Sequence, residues 1–459
     1  MHLLAIGGSD GGISAALRAR EIDPGVDVTV MLADSYPNFS ICGIPYLISG
    51  DVTDWRHLAH RSRPDIEALG VQLMTDTVAR RIDIEGHHVV ATGPDGREQR
   101  VGYDRLVVAT GAVPARPPID GLGRLGPADG VHLLHTIGDT FDILDTLGER
   151  DVTSAVIVGA GYIGLEMAEA LTARGVTVAQ VEQLPQVLPT LDPALGALVG
   201  DELRSHGVGV HTSTRIAGIE RKDDRLVVHG ATTDTNEVFD QATDLVLVVA
   251  GVKPDTALAA DAGATLSAAG AIVVDRHMRT GLPDIYAAGD CVITHHVLLG
   301  DTYLPLGTTA HKQGRVAGEN ALGANRAFAG STGTQVVKVF DLVAARTGLR
   351  DHEAIPAGFD PLTVAATADD HKAYYPGAQT VHVRITGDTR TGRLLGAQLV
   401  GPIPTAVHKR VDTAAAAIFT GLSVAQLSDL DLSYTPPLGS PWDVLQAGAQ
   451  TWERAAALH

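Results

Sequence analysis

Hydrophobic positions at the start of the chain change period abruptly. Leu3 to Ile6 form a short continuous apolar run, Gly7-Gly8-Ser9-Asp10-Gly11-Gly12 interrupts it, and apolar residues return at helical spacing from Ile13 to Glu21 before a second apolar run, Val28 to Leu32. This order predicts strand, tight turn, helix and strand. The same order recurs about 150 residues later. Ala155 to Val158 reads as a strand, Gly159-Ala160-Gly161-Tyr162-Ile163-Gly164 as the turn, the segment through Arg174 as a helix, and Val176 to Val181 as the next strand, ending at Glu182.

A glycine turn between a strand and a helix lets backbone approach a pyrophosphate, which then rests against the unpaired N–H groups of the helix. One such turn is weak as a sign, because a ligand-free turn reads the same way; two copies are much stronger. In the second copy Glu182 stands where an acid grips a ribose diol and repels a 2'-phosphate, which favours NADH while leaving NADPH possible. In the first copy Ser9 replaces the middle glycine. Its acid position is Leu32, with Asp34 two residues on.

Buried-type strands ending in glycine, Leu106 to Gly111 and Leu247 to Gly251, mark places where the chain crosses between domains. Ala109, Thr110, Gly111 and Gly251 are therefore candidate cofactor contacts, and Thr280 to Asp290 adds Gly289 and Asp290, the latter suited to a ribitol hydroxyl. From about Gly333 the pattern changes. Val336 to Phe340, Thr380 to Ile385 and Leu394 to Val400 read as strands, and Val411 to Phe419 and Val424 to Leu430 as helices. The predicted fold is α/β: two Rossmann-like dinucleotide-binding domains, for FAD and NAD, plus an α+β C-terminal dimerisation domain. The expected boundaries are 1–112 with 250–329 for FAD, 113–249 for NAD(P)H and 330–459 for dimerisation.

Composition adds exclusions. A net charge of -19 repels nucleic acid and anionic lipid, so neither is an expected partner. No apolar run reaches the roughly 20 residues of a membrane span. The first residues lack a signal-peptide pattern, and a cytoplasmic location is expected. Cys42 and Cys291, the two cysteines, form no disulfide framework or metal cluster. The pairs His87-His88 and His295-His296 complete no metal set and are expected on exposed loops.

Taken together, the glycine motifs, the Thr280 to Asp290 segment and the C-terminal unit resemble the pyridine nucleotide-disulfide oxidoreductase superfamily across essentially the whole chain. Asn38-Phe39-Ser40-Ile41-Cys42-Gly43-Ile44-Pro45-Tyr46 narrows the resemblance. Cys42 has no second cysteine at Leu47, which is similar to the single-cysteine branch holding CoA-disulfide reductase, NADH peroxidase, NADH oxidase and persulfide reductase. The resemblance implies FAD, a nicotinamide donor, a homodimer, and a Cys42 that cycles through a mixed disulfide or sulfenic acid beside the flavin. A helix N-terminus and the flavin are expected to lower its thiol pKa. The plainer reading of Cys42 is a small buried core residue.

Within that branch, peroxidases and oxidases carry a histidine where this chain has Asp10, and a carboxylate there disfavours a neighbouring thiolate unless it is itself protonated. Asp10 is thus either a proton donor or acceptor or a turn-stabilising acid. Tyr374 and Tyr434 match the two tyrosines that CoA-disulfide reductases bring to the cysteine, or else are interface aromatics. His311 and Lys312 resemble a substrate-contacting pair. Where those enzymes hold the anionic nucleotide with an arginine, an asparagine and a lysine, this chain has Glu21, Ile41 and Trp442, with Arg18 and Arg20 on the first helix as replacements and Asn38 as a further candidate contact. Trp442 and Ile41 point to a smaller or more apolar acceptor, or Trp442 simply packs at the interface. The leading expectation is a sulfur substrate reduced through Cys42. An oxidase or electron-transfer flavoprotein that does not need Cys42 is the alternative, and a nicotinamide-sensing flavoprotein the third.

Overall fold

The computed structural model describes residues 1–458. The first parallel sheet has His2–Ile6 at its centre, flanked by Asp27–Met31 and Arg105–Val108, with Val71–Met74 and Ile285–Ala287 at the edges. Its last strand comes from beyond the second sheet in sequence, so the chain leaves this layer and returns to it. Central strands buried on both faces explain the continuous apolar runs: Leu3, Leu4, Val107 and Val108 are fully enclosed.

The second parallel sheet repeats the plan, with Ser154–Val158 between Thr177–Val181 and Leu245–Val248, and Gly209–His211 and Val131–Leu133 outside. Ala112–Pro114 and Val252–Pro254 pair antiparallel, tying the two crossings together. The Asp10–Ile22 and Gly307–Ala321 helices pack closely beside the first sheet. A methyl group at Gly314 would lie 2.3 Å from the Gly11 carbonyl oxygen, and one at Gly318 the same distance from that of Ala15, so glycine sets the close approach.

The C-terminal unit is a five-stranded antiparallel sheet, ordered Gln335–Val339, Leu342–Gly348, Leu394–Pro402, Thr380–Asp388 and Pro361–Asp369. The Val407–Thr420 and Val444–Ala456 helices cover it. Trp452 anchors the latter through its indole N–H to Leu362 O at 2.8 Å.

Several sequence expectations shift. The first helix begins at Asp10 rather than Ile13, with Ser9 as its N-cap, because the glycine turn is itself its first turn. Three antiparallel strands spanning 78–102 and three spanning 214–243 decorate the two parallel sheets; their alternating exposed positions were not read as strands. His87 sits on an exposed turn as expected, but the other three histidines do not. His88 opens a strand, and His296 is buried in another, its Nδ1 accepting from the Leu298 N–H at 3.1 Å. Cys291 is fully buried, with its thiol 3.5 Å from Ala288 O.

Candidate active site

The two glycine turns are built alike. Gly7 has a φ of +121°, and a side chain there would strike Ala109 O at 2.0 Å; a methyl at Gly12 would lie 2.0 Å from Gly7 O. Gly159, at φ +109°, lies against Val249 O, and Gly164 against Gly159 O at 2.0 Å. Around Gly161, by contrast, a methyl would meet no protein atom within 4 Å, which leaves room for backbone to approach a pyrophosphate. Ser9 is exposed and its side chain makes no capping bond, so the N–H groups of this first turn stay open to an anion.

Beyond each turn lies an acid. Glu182 is buried and accepts from the N–H groups of Ala160 and Leu184, each at 2.9 Å. Leu32, at the matching place in the first copy, is buried under Gly8, and Asp34 accepts from Tyr36 N–H. Burial, joined by Asp76, raises the Asp34 carboxyl. Thr110 Oγ1 donates to Asp255 O, and Gly111 O accepts from Asp255 N–H, joining the two crossing segments. Tyr162 donates its hydroxyl to Gln335 Oε1 at 2.6 Å, so its side chain reaches towards the C-terminal sheet; Ile163 packs among the apolar residues beneath it. Gly251 and Gly289 both adopt positive φ at the second crossing and after the Ile285–Ala287 strand.

Cys42 lies in a short 3-10 turn, Ile41–Gly43, leading into the Ile44–Ser49 helix, and its side chain is open to solvent. The lowered thiol pKa expected from sequence is not what the protein groups produce. Desolvation, then the carboxylates of Glu166, Asp10 and Asp290, push the Cys42 thiol up. Three acids bearing on one thiol come from three different elements. Asp290 is raised to about 6 by burial and by Asp10, against a backbone bond from Leu306. Glu166, on the Tyr162–Ala173 helix, is raised to about 7 by burial and then by Glu169; Lys338 and a hydrogen bond from Tyr46 oppose this. Lys338 itself pairs with Glu169.

Asp10 gathers two histidines. His311 Nε2 stands 3.3 Å from Asp10 Oδ1, His311 Nδ1 lies 2.9 Å from Ser14 Oγ, and the His60 and His311 rings meet edge to face. Burial raises the Asp10 carboxyl, with His311 and His60 pulling the other way. Lys312 turns from this group and donates to Thr308 O. Asn38 is buried at φ 58°, its N–H donating to Gly8 O and its carbonyl accepting from His60 N–H, so it ties the glycine turn to the cysteine segment. Ile41, like the mutually packed Tyr36, Phe39, Trp55 and Phe141, lies half-buried against the same apolar cluster.

The replacement cations are occupied. Arg18 bonds Glu319 at 2.6 Å and Glu21 at 2.9 Å, and Arg20 donates to the carbonyls of Leu69, Pro24 and Val26. Tyr374 and Tyr434 lie beside one another on the C-terminal unit, Tyr434 raising the Tyr374 hydroxyl, and Tyr374 is 72% exposed, Trp442 56% and Leu438 81%.

Residues 1–314 match the model of the family described as pyridine nucleotide-disulphide oxidoreductase, and residues 334–444 match that family's dimerisation domain. The chain belongs to this family. It is 34% identical to the NAD(P)H sulfur oxidoreductase (CoA-dependent) of Pyrococcus furiosus over 95% of each chain, and 32% identical to an NADH oxidase of Methanocaldococcus jannaschii over 98% of each. A solved structure of the NAD-dependent persulfide reductase from A. fulgidus superposes with a TM-score of 0.93 at 36% identity, covering 100% of this chain and 84% of that one.

Like the rest of this pyridine nucleotide-disulphide oxidoreductase family, the protein is an FAD-dependent oxidoreductase with NAD(P)H as donor. The first glycine cradle fits the flavin dinucleotide: a methyl at Gly11 would come 3.0 Å from Ala288 O, and half-buried Asp290, its carboxyl raised to about 6 by burial, offers acceptors for the hydroxyl donors a ribitol supplies. When bound there, FAD passes electron pairs from nicotinamide to the acceptor. Sequence reading missed Glu166, Tyr46 and His60. Glu166 falls one helical turn after Tyr162, but that spacing carries no mark of its contact with Tyr46.

Proposed function

We propose that this enzyme uses NADH to reduce a disulfide, persulfide or related sulfur acceptor through Cys42, as a cytoplasmic homodimer. The observation that carries the reading is a solvent-open thiol in the short turn that leads into the Ile44–Ser49 helix. Attack by the Cys42 thiolate on the acceptor breaks its S–S bond and forms a mixed disulfide, with the departing sulfur taking a proton. Resolution by the electron pair from NADH frees the second sulfur and restores Cys42. Glu182 orients the donor by its ribose diol, and its charge disfavours a 2'-phosphate. The exposed Tyr374 and Tyr434 pair reaches Cys42 of the partner subunit in the dimer and donates a hydrogen bond to the oxidised sulfur.

The acceptor is less anionic than CoA, since Arg18 is committed to Glu21 and Glu319 and Arg20 to carbonyls. Each missing charge-assisted bond forgoes about 1.5–3 kcal/mol. Steady-state comparison of CoA disulfide with cystine and inorganic polysulfide tests this: the smaller acceptors are expected to have the higher kcat/KM. Preference for CoA disulfide contradicts it. The raised Cys42 thiol favours one second reading, an NADH oxidase in which Cys42 is dispensable. Full oxygen-dependent turnover by Cys42→Ser selects that reading.

A further inference from the structure

We propose that His60, His311 and Asp10 form a proton inlet from solvent to the sulfur reacting at Cys42, with Asp10 the donor to the departing thiolate. The inference rests on the sulfur-reductase reading above, which requires such a supply. Reduction of RSSR by NADH yields two RSH and NAD⁺ only if one further proton enters from water in each cycle.

The geometry provides a path. Asp10 opens the Asp10–Ile22 helix, His311 lies in the second turn of the Gly307–Ala321 helix, and His60 follows the turn at Trp55–Leu58. Glycines 314 and 318 bring the two helices into contact and so set His311 over Asp10, while a methyl at Gly307 would lie 3.0 Å from Asp10 Oδ2. One ring nitrogen of each histidine and an Asp10 oxygen all fall within 4.8 Å of one another, a span that a single water bridges. His60 is exposed, whereas Asp10 Oδ1 is buried without a hydrogen-bond partner. An orphaned carboxylate oxygen is costly, and a transferable proton relieves it. Ser14 Oγ holds His311 Nδ1, leaving Nε2 directed at Asp10.

The groups facing this trio are Asp290, Cys42 and, farther round the thiol, Glu166; Lys312 points to Thr308 O. All three facing groups are acids, and burial, opposed by His311 and His60, makes Asp10 hold its proton more readily than a free carboxyl. In the step itself, the Cys42 thiolate attacks one sulfur, the S–S bond breaks, and the leaving thiolate takes the Asp10 proton. The Asp10 carboxylate then regains a proton from water through His311 and His60.

Single-turnover oxidation of prereduced, FAD-loaded enzyme by cystine, followed against pH in H₂O and D₂O, tests the inlet. Wild type is expected to accelerate with pH below the Asp10 titration, where Asp10 stays protonated while more Cys42 thiolate forms, to level off above it, and to show a normal solvent isotope effect. Asp10→Asn is expected to be about 100-fold slower and to keep accelerating with pH, without the plateau, as more Cys42 thiolate forms. His60→Gln, at an exposed site that leaves folding intact, is expected to be slower and to recover with added imidazole. Wild-type rate and profile in Asp10→Asn overturn the inlet, as does a stoichiometric metal ion in the purified enzyme that His60→Gln loses. A wild type that reduces no sulfur acceptor at all overturns the sulfur reading itself.

Discussion

Glu166 is the residue whose surroundings say most about the pH behaviour of this enzyme. It is only partly accessible, its neighbour Glu169 is already paired with Lys338, and its carboxyl is raised from 4.5 to about 7. A raised carboxyl holds its proton longer when folded than when unfolded. It therefore costs nothing below the unfolded value and destabilises the fold increasingly as pH climbs from about 4.5 to 7. Replacing it with glutamine removes that cost. Glu166→Gln is expected to raise stability to urea at pH 8 by on the order of 1–2 kcal/mol, after allowance for its partial exposure, and to change nothing at pH 4. Equal effects at both pH values would show that packing, not charge, governs the site. The same substitution removes the first-named of the three acids raising the Cys42 thiol. Alkylation of Cys42 by iodoacetamide at pH 8 is expected to be faster in Glu166→Gln than in wild type.

At the scale of elements, the paired glycine turns separate two ligands that share one architecture. Gly164→Ala would place a methyl 2.0 Å from Gly159 O and disturb only the second turn. The variant is expected to keep full flavin content and dithionite reducibility while its KM for NADH rises about tenfold or more, as absorbance at the flavin band and steady-state rates will show. Loss of flavin instead would place the dinucleotides the other way round.

These turns were also the most legible part of the sequence, because Leu3 to Ile6 and Ala155 to Val158 are buried on both faces and their glycines touch backbone. Helix and strand ends moved by only a few residues. The strands at Val78–Asp83 and Thr214–Lys222 escaped notice because half their positions face water and carry arginine, lysine or glutamate. His60 and Glu166 were invisible for a different reason. Each joins its partners only across elements far apart in the chain, His60 with His311 and Glu166 with Tyr46, and no local spacing records such contacts. Arg18 and Arg20 were visible but misjudged, since the sequence does not tell that Glu319 and the Leu69 carbonyl claim them.

For the whole molecule, the matched dimerisation domain exposes Tyr374, Tyr375, Tyr434, Leu438 and Trp442. Exposed aromatic clusters of this kind mark association sites. Sedimentation velocity is expected to give a dimer for wild type and monomer for Leu438→Asp with Trp442→Asp, with sulfur-acceptor turnover falling alongside because the tyrosine pair no longer meets the partner's thiol. A monomeric, fully active wild type would remove the dimer from the mechanism.

The central claim, that Cys42 is a redox partner of the flavin and the atom met by the acceptor, is tested most directly by anaerobic titration of the as-isolated enzyme with NADH. The account predicts that wild type takes up two equivalents per subunit, one for the flavin and one for oxidised Cys42, that Cys42→Ser takes up one, and that the variant no longer reduces sulfur acceptors. One equivalent in both proteins, with acceptor turnover undiminished in Cys42→Ser, would contradict it.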